Sequence, residues 1–232
     1  MLFDLDGTLV HHVNPRVLQM LEFLDDCSHR GGRLAARFRL ARRKCVSERA
    51  PKLLVHKAIH KVRRKSVKDM LEPCESMRNV LERLRDEGVT LGVVSNGLGR
   101  GYGHDVLEAF DLKKYFSTAV FREDVPRGKP WPDSIVTALG RIGRDLRGSD
   151  AIWYIGDQRK DIAAAQAASA EMGRLIRPYA LGARAALGAV EARLSPSQIM
   201  WSASDFERTI SAAFDSHDQR LSLIDPLPAP LL

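Results

Sequence analysis

Near the amino terminus, in Phe3-Asp4-Leu5-Asp6-Gly7-Thr8-Leu9, the chain sets two carboxylates two positions apart. On a strand such residues share one face. At a strand end, where Gly-Thr turns the chain, they can instead address one reacting centre from two directions. Carboxylates this close disfavour each other's ionisation. They call for a cation or for chemistry that uses the repulsion, unless the segment is simply a solvated turn. Three later segments carry residues suited to the same work. Val93-Val94-Ser95-Asn96-Gly97 ends an apolar run in a hydroxyl and a turn. Gly128-Lys129-Pro130-Trp131-Pro132-Asp133 offers an ammonium, and Ile155-Gly156-Asp157-Gln158-Arg159-Lys160-Asp161 offers two more carboxylates. Taken singly, these read as a turn, a surface loop and acids favouring a helix macrodipole.

Taken together and in this order, the four segments resemble the four motifs of the haloacid dehalogenase-like phosphohydrolase superfamily, over roughly residues 2–170. The resemblance implies a phosphoryl-transfer enzyme. Asp4 is then the nucleophile, forming an aspartyl-phosphate and splitting one hard step into two. Asp6 is the general acid and base. Mg²⁺ is the implied cofactor, since a hard cation with oxygen ligands relieves repulsion between an anionic nucleophile and an anionic phosphate. Its ligands would be the side chains of Asp4 and Asp157 and the backbone carbonyl of Asp6. Asp161 would be a further ligand or would hold the metal's waters. Ser95 would donate to a phosphoryl oxygen, Asn96 and Gly97 would add backbone N–H groups, and Lys129 would supply a point charge. The dehalogenases of the superfamily generally lack the second Asp, so the presence of Asp6 favours a phosphate ester over a carbon–halogen bond. A phosphomutase, which uses the same residues, stays open.

The elements that must position these residues follow an α/β pattern. Leu2-Phe3 reads as a short buried strand, and residues 89–94, 117–121 and 151–155 as further strands. Helices are expected near 75–87, 104–110, 132–142, 161–168 and 205–214, with strands near 172–176 and 198–201. Alternation of this kind predicts a Rossmann-like parallel sheet with helices on both faces. Ligands of such sheets bind beyond the carboxyl ends of the strands. All four motifs fall just after an expected strand or in the loop that follows one. Residues 14–72 carry helical spacing only, with Val17, Leu18, Leu21 and Leu24 as one apolar series. They are expected to form an all-helical cap inserted into a core of residues 1–13 and 73–224, with a flexible tail over 225–232. In the resemblance, caps at this position close over the site and choose the substrate.

Charge is concentrated in that cap. Fifteen Lys or Arg and one acid, Glu48, lie between Arg30 and Lys68, while the whole chain of 232 residues has a net charge of +7. The remainder is therefore acidic, and the basic balance belongs to one segment. This favours a highly anionic small-molecule phosphate ester, such as a phosphoglycolate-, sugar- or nucleotide-phosphate-like substrate. The alternative is a nucleic acid, phosphoprotein or other polyanion bound through residues 30–68. Phe38 is the only aromatic residue there, so base stacking is not favoured. His11, His12, His56 and His60 show no convincing ligand spacing.

No apolar run approaches the roughly 18–20 residues of a membrane span, and no secretory signal is evident. Cys27, Cys45 and Cys74 form no metal spacing, which suits a reducing cytoplasm. Only three residues precede Asp4, so the first strand is short or the natural start lies upstream.

Overall fold

A computed structural model of the chain describes residues 1–12, 67–143 and 151–222. The expected cap helices and nearly all of the basic segment therefore lie outside the described residues, as does the tail over 225–232.

The first strand, β1 (Leu2–Phe3), is two residues long and fully buried, yet it occupies the centre of the main sheet. It is flanked by β4 (Gly92–Val94) and β6 (Ile152–Gly156). Outward from these lie β5 (Thr118–Val120) on one side, then β7 (Ile176–Leu181) and β8 (Ile199–Met200) on the other. The order is β5-β4-β1-β6-β7-β8, and every pairing is parallel. Backbone bonds prolong the ladder past both ends of β1. Gly92 N–H donates to the Met1 carbonyl and Asp4 N–H to the Ile155 carbonyl, each at 2.9 Å.

The central strands read as apolar runs because a parallel sheet is buried on both faces. Val93, Val94, Ile155 and Leu2 are essentially inaccessible. One layer of the core joins Phe3, Leu81, Leu84, Val106 and Phe206, and another joins Leu2, Ile135, Leu139, Tyr154 and Ala165. The first rests on helices α2 (Glu75–Asp86), α3 (His104–Ala109) and α7 (Ala203–Ser222). The second rests on α4 (Asp133–Ile142) and α5 (Arg159–Met172). A short helix α1 (Val67–Met70) precedes a separate two-stranded antiparallel ribbon, in which β2 (Val10–His12) pairs with β3 (Leu71–Pro73).

The α/β expectation holds, with differences at particular elements. The expected strand near 172–176 is displaced: α5 runs on to Met172, Gly173 closes it in the left-handed region, and β7 starts at Ile176. Ser169 manages this junction, its Oγ donating to the Arg174 carbonyl and accepting from the Ile176 N–H. A further helix, α6 (Gly182–Glu191), lies where the sequence suggests no element. Its core side is made of alanines and a glycine, while its larger apolar residues, Leu187 and Val190, face solvent, so the apolar pattern does not mark it. The ribbon is also unanticipated, and it puts Leu71 and Glu72 in a strand although residues 14–72 read as helical.

Between β4 and α3 the chain makes a glycine-rich turn over Gly99–Gly103, in which Gly99 and Gly103 lie close against the Phe121 ring. A Cβ on Gly103 would lie 2.1 Å from Phe121 Cε1, whereas Gly140, exposed within α4, has nothing within 4 Å of that position. Gly103→Ala should therefore lose about 1–3 kcal/mol through overpacking. Gly140→Ala should gain about 0.5–1 kcal/mol through helix propensity. Urea denaturation of the two variants checks this, and equal effects would contradict the described turn.

Candidate active site

The four motifs meet at the carboxyl edge of the sheet. Asp4 follows β1, Ser95 follows β4 and Asp157 follows β6, while Lys129 lies in the loop between β5 and α4. Chain connections run from β1 towards β4 and β5 on one side, while β6, β7 and β8 build outward on the other. The site thus sits where the strand order reverses, the place where open α/β sheets bind ligands.

Lys129 is its hub. The Nζ lies 2.7 Å from Asp4 Oδ1 and 2.7 Å from Asp161 Oδ1. It also donates to the Val94 carbonyl and the Tyr154 hydroxyl, both at 3.1 Å. All of these groups are buried. Burial alone would lower the lysine's pKa, but Asp161 and Asp4 outweigh it and hold the ammonium well above its ordinary value. Asn96 fixes the lysine's backbone on both sides: its side-chain NH₂ donates to the Lys129 carbonyl at 2.9 Å, and Lys129 N–H donates to its Oδ1 at 2.7 Å. The Asn96 side chain thus positions Lys129. Ser95 is 2 % exposed, and its Oγ accepts from the Gly97 N–H at 2.9 Å.

Asp4, Asp157 and Asp161 each bring a carboxylate oxygen to within 4.8 Å of the others. Leu5 N–H donates to Asp4 Oδ1 at 2.8 Å. Asp161 Oδ2 accepts from Gln158 N–H at 3.0 Å and so caps α5, while its Oδ1 takes Lys129 and, at 3.3 Å, the Tyr154 hydroxyl. Asp157 differs, because its Oδ1 is buried with no hydrogen-bond partner among the described residues. Gly7, at φ +86°, makes this arrangement possible, since a Cβ there would lie 2.2 Å from Asp157 Oδ2.

Three carboxylates thus surround one ammonium. Desolvation first, then Asp161, raises Asp4 to about 7 against the opposing pull of Lys129. Desolvation, then Asp4 and Asp161, raises Asp157 to about 8. For Asp157, too, burial is the largest cause, and Lys129 and Lys160 only partly offset it. An orphaned buried oxygen, an all-oxygen donor set and an excess of negative charge together fit a hard divalent cation.

Asp6 stands apart from this cluster. Its Oδ1 accepts from the Tyr102 hydroxyl, and His12 Nε2 lies 3.4 Å from the same oxygen. Burial would raise its pKa, but these two partners outweigh burial and hold the carboxyl below its ordinary value. The sequence singled out neither partner for this place. His12 lies on β2 and Tyr102 in the glycine-rich turn, and no spacing links either to Asp6. Tyr154 was equally unmarked, although its position on β6, two residues before Gly156, aims it at the same edge.

Residues 1–174 match the haloacid dehalogenase-like hydrolase family. The chain belongs to that family, as the order of the four motifs implied. It is 34% identical over 104 residues to the phosphoglycolate phosphatase of Escherichia coli (strain K12), covering 45% of this chain and 40% of that one. It is 32% identical over 109 residues to the phosphoglycolate phosphatase of Salmonella paratyphi A, covering 47% and 42%. The match therefore spans less than half the length of these relatives. Among solved structures, a protein named as a phosphatase by prediction, from Clostridium acetobutylicum, aligns with a TM-score of 0.60 at 18% identity, over 91% of this chain and 97% of that one. A β-phosphoglucomutase candidate from Thermotoga maritima aligns with a TM-score of 0.58 at 20% identity, with the same coverage. At those identities the likeness is one of fold. No helix among the described residues is long and apolar enough to cross a membrane.

The raised carboxyls have a signed consequence. Between about pH 4 and pH 8 the folded state keeps protons that the unfolded state has released, so stability falls as pH rises through that window. In chelator, this contribution should lower the melting temperature between about pH 5 and pH 8.5. Mg²⁺ should raise the melting temperature more at about pH 8.5 than at pH 5, because binding to the folded state stabilises it. Asp157→Asn should shrink both effects. An unchanged pH and Mg²⁺ response in that variant would contradict the charge imbalance.

Proposed function

We propose that this chain is a Mg²⁺-dependent phosphomonoester hydrolase working through an aspartyl-phosphate on Asp4. The observation that carries the reading is the contact of Lys129 with Asp4 and Asp161 at the sheet's carboxyl edge, with Asp157 alongside. One ammonium and an incompletely neutralised carboxylate cluster suit a reaction whose charge is spread over phosphoryl oxygens. Asp4, Asp157, Asp161 and the backbone carbonyl of Asp6 would hold Mg²⁺, which when bound supplies positive charge to the phosphoryl oxygens.

The protein's own groups divide the remaining work. Lys129 and Leu5 N–H hold Asp4 Oδ1, fixing the plane of the nucleophile's carboxylate. The Ser95 hydroxyl donates to a phosphoryl oxygen, with the Asn96 and Gly97 backbone beside it, while Lys129, its N–H groups held by the protein, supplies a fixed positive charge next to Asp4. A carboxylate oxygen of Asp4 attacks phosphorus, the ester P–O bond breaks, and Asp6 gives its proton to the departing oxygen. Asp6 then takes a proton from water as the water oxygen attacks phosphorus. The bond to Asp4 breaks, and inorganic phosphate leaves. Incoming phosphate brings negative charge that favours the protonated form of Asp6, opposing the donors that hold its pKa low.

For substrate we propose a small, highly anionic phosphate ester of the phosphoglycolate, sugar-phosphate or nucleotide kind. The basic segment between Arg30 and Lys68 and the similarity to phosphoglycolate phosphatases support this. We place residues 14–72 as the cap that selects it, and the cytoplasm as the site of action.

A phosphate-release screen over phosphomonoesters, with Mg²⁺ and with chelator, tests the reading. Release should require Mg²⁺ and favour one multiply charged ester. Asp4→Asn should abolish turnover while leaving the melting temperature near that of the wild type, and Asp6→Asn should cost about 10²–10⁴-fold. Turnover retained by folded Asp4→Asn would sink the mechanism. Steeply salt-dependent binding to oligonucleotides, with no release from any small ester, would instead favour a polyanion as partner.

A further inference from the structure

Asp6 receives more attention from its surroundings than a solvated acid would need. The Tyr102 hydroxyl donates to Asp6 Oδ1, and His12 Nε2 approaches both that oxygen, at 3.4 Å, and the Tyr102 hydroxyl, at 3.2 Å. A phenol keeps its proton at neutral pH. With that proton directed at Asp6, the phenol oxygen is left to accept from His12 Nε2–H. Tyr102 is 5% exposed and belongs to the main core cluster, so the phenol has little room to turn away.

Its loop is held as well. Glu123 Oε1 accepts from the backbone N–H groups of Gly99 and Arg100, both at 2.9 Å, and Gly103 N–H donates to the Leu98 carbonyl at 2.8 Å. The phenol is thus delivered from a braced turn after β4, while His12 comes from β2. Two elements remote in sequence converge on one oxygen.

Both contacts fall on Oδ1. A carboxylic acid whose one oxygen already accepts from neighbouring donors carries its proton on the other. We infer that Tyr102, backed by His12, is a positioning residue that holds Oδ1 and thereby assigns the transferable proton to Oδ2. This rests on the reading of Asp6 as general acid and base. The same donors stabilise the carboxylate once its proton has gone to the leaving oxygen, and they hold it in place for the following water. Tyr102 would touch neither the substrate nor the phosphoryl group.

The readout that separates positioning from plain structural support is the leaving group. An alkyl alkoxide needs a proton to depart, whereas p-nitrophenolate does not. Tyr102→Phe should lower kcat/KM for an alkyl phosphomonoester, 2-phosphoglycolate being the first choice, by about 10- to 100-fold. For p-nitrophenyl phosphate the loss should stay below about threefold. His12→Gln should show the same split at smaller amplitude, and it carries the test should Tyr102→Phe fail to fold. Tyr115→Phe, which removes a buried phenol contacting Glu82 at 2.8 Å away from the site, should show no split. An equal loss on both esters, or no loss on either, overturns the inference. Asp6→Asn separates the two layers. If it too fails to discriminate between the esters, the acid–base reading of Asp6 has failed. If it discriminates and Tyr102→Phe does not, only the positioning role has.

Discussion

One buried ammonium among three carboxylates sets the terms for the rest of the site. Lys129 can touch Asp4 and Asp161, and it does. Among the described residues, Asp157 Oδ1 is buried with no hydrogen-bond partner. Charges at this depth are tolerated only when paired or when they hold a cation. The imbalance follows from where the strands end. A parallel sheet whose order reverses at β1 brings the loops after β1, β4, β5 and β6 to one place. Each of those loops contributes a charged or hydroxyl group.

The second constraint is mechanical. Asp4 and Asp6 are two residues apart but have different neighbours. Asp4 belongs to the lysine cluster, while Asp6 belongs to a pair of donors from the ribbon and the glycine-rich turn. Gly7 lets the backbone between β1 and β2 pass close to Asp157, and Gly7 N–H donates to the Val10 carbonyl at 2.8 Å. That single turn sets the spacing between the carboxylate cluster and the Asp6 pocket.

Much of this was legible in the sequence, for identifiable reasons. Each motif combines an apolar strand with a polar end, a local pattern that alternation and turn chemistry reveal. The parallel sheet followed from the same alternation. What stayed hidden depends on long-range placement. Asn96 reads as a turn residue, yet its side chain grips the backbone of Lys129, 33 residues away. Tyr102 and His12 are 90 residues apart and meet only because β2 folds back beneath the glycine-rich turn. The ribbon itself was missed because strands of three residues, one ending in proline, carry too little periodicity. α6 was missed because its buried face is built of small residues, Ala185, Ala186, Gly188 and Ala189, while its larger apolar residues, Leu187 and Val190, are exposed.

The ribbon also has a meaning for how such a chain can change. In the chain, residues 13–66 connect the end of β2 to α1, which leads directly into β3. Because His12 pairs directly with Leu71, the core sees that whole length as the connection of a hairpin. Lengthening such a connection adds little entropic cost, about 0.6 kcal/mol per doubling. The core can therefore keep its sheet and its carboxylates while the segment beyond the ribbon is exchanged for another of different size or charge. The exchange is limited at His12, which belongs to the hairpin by its backbone and to Asp6 by its side chain, so a grafted segment must preserve that strand even if it preserves nothing else.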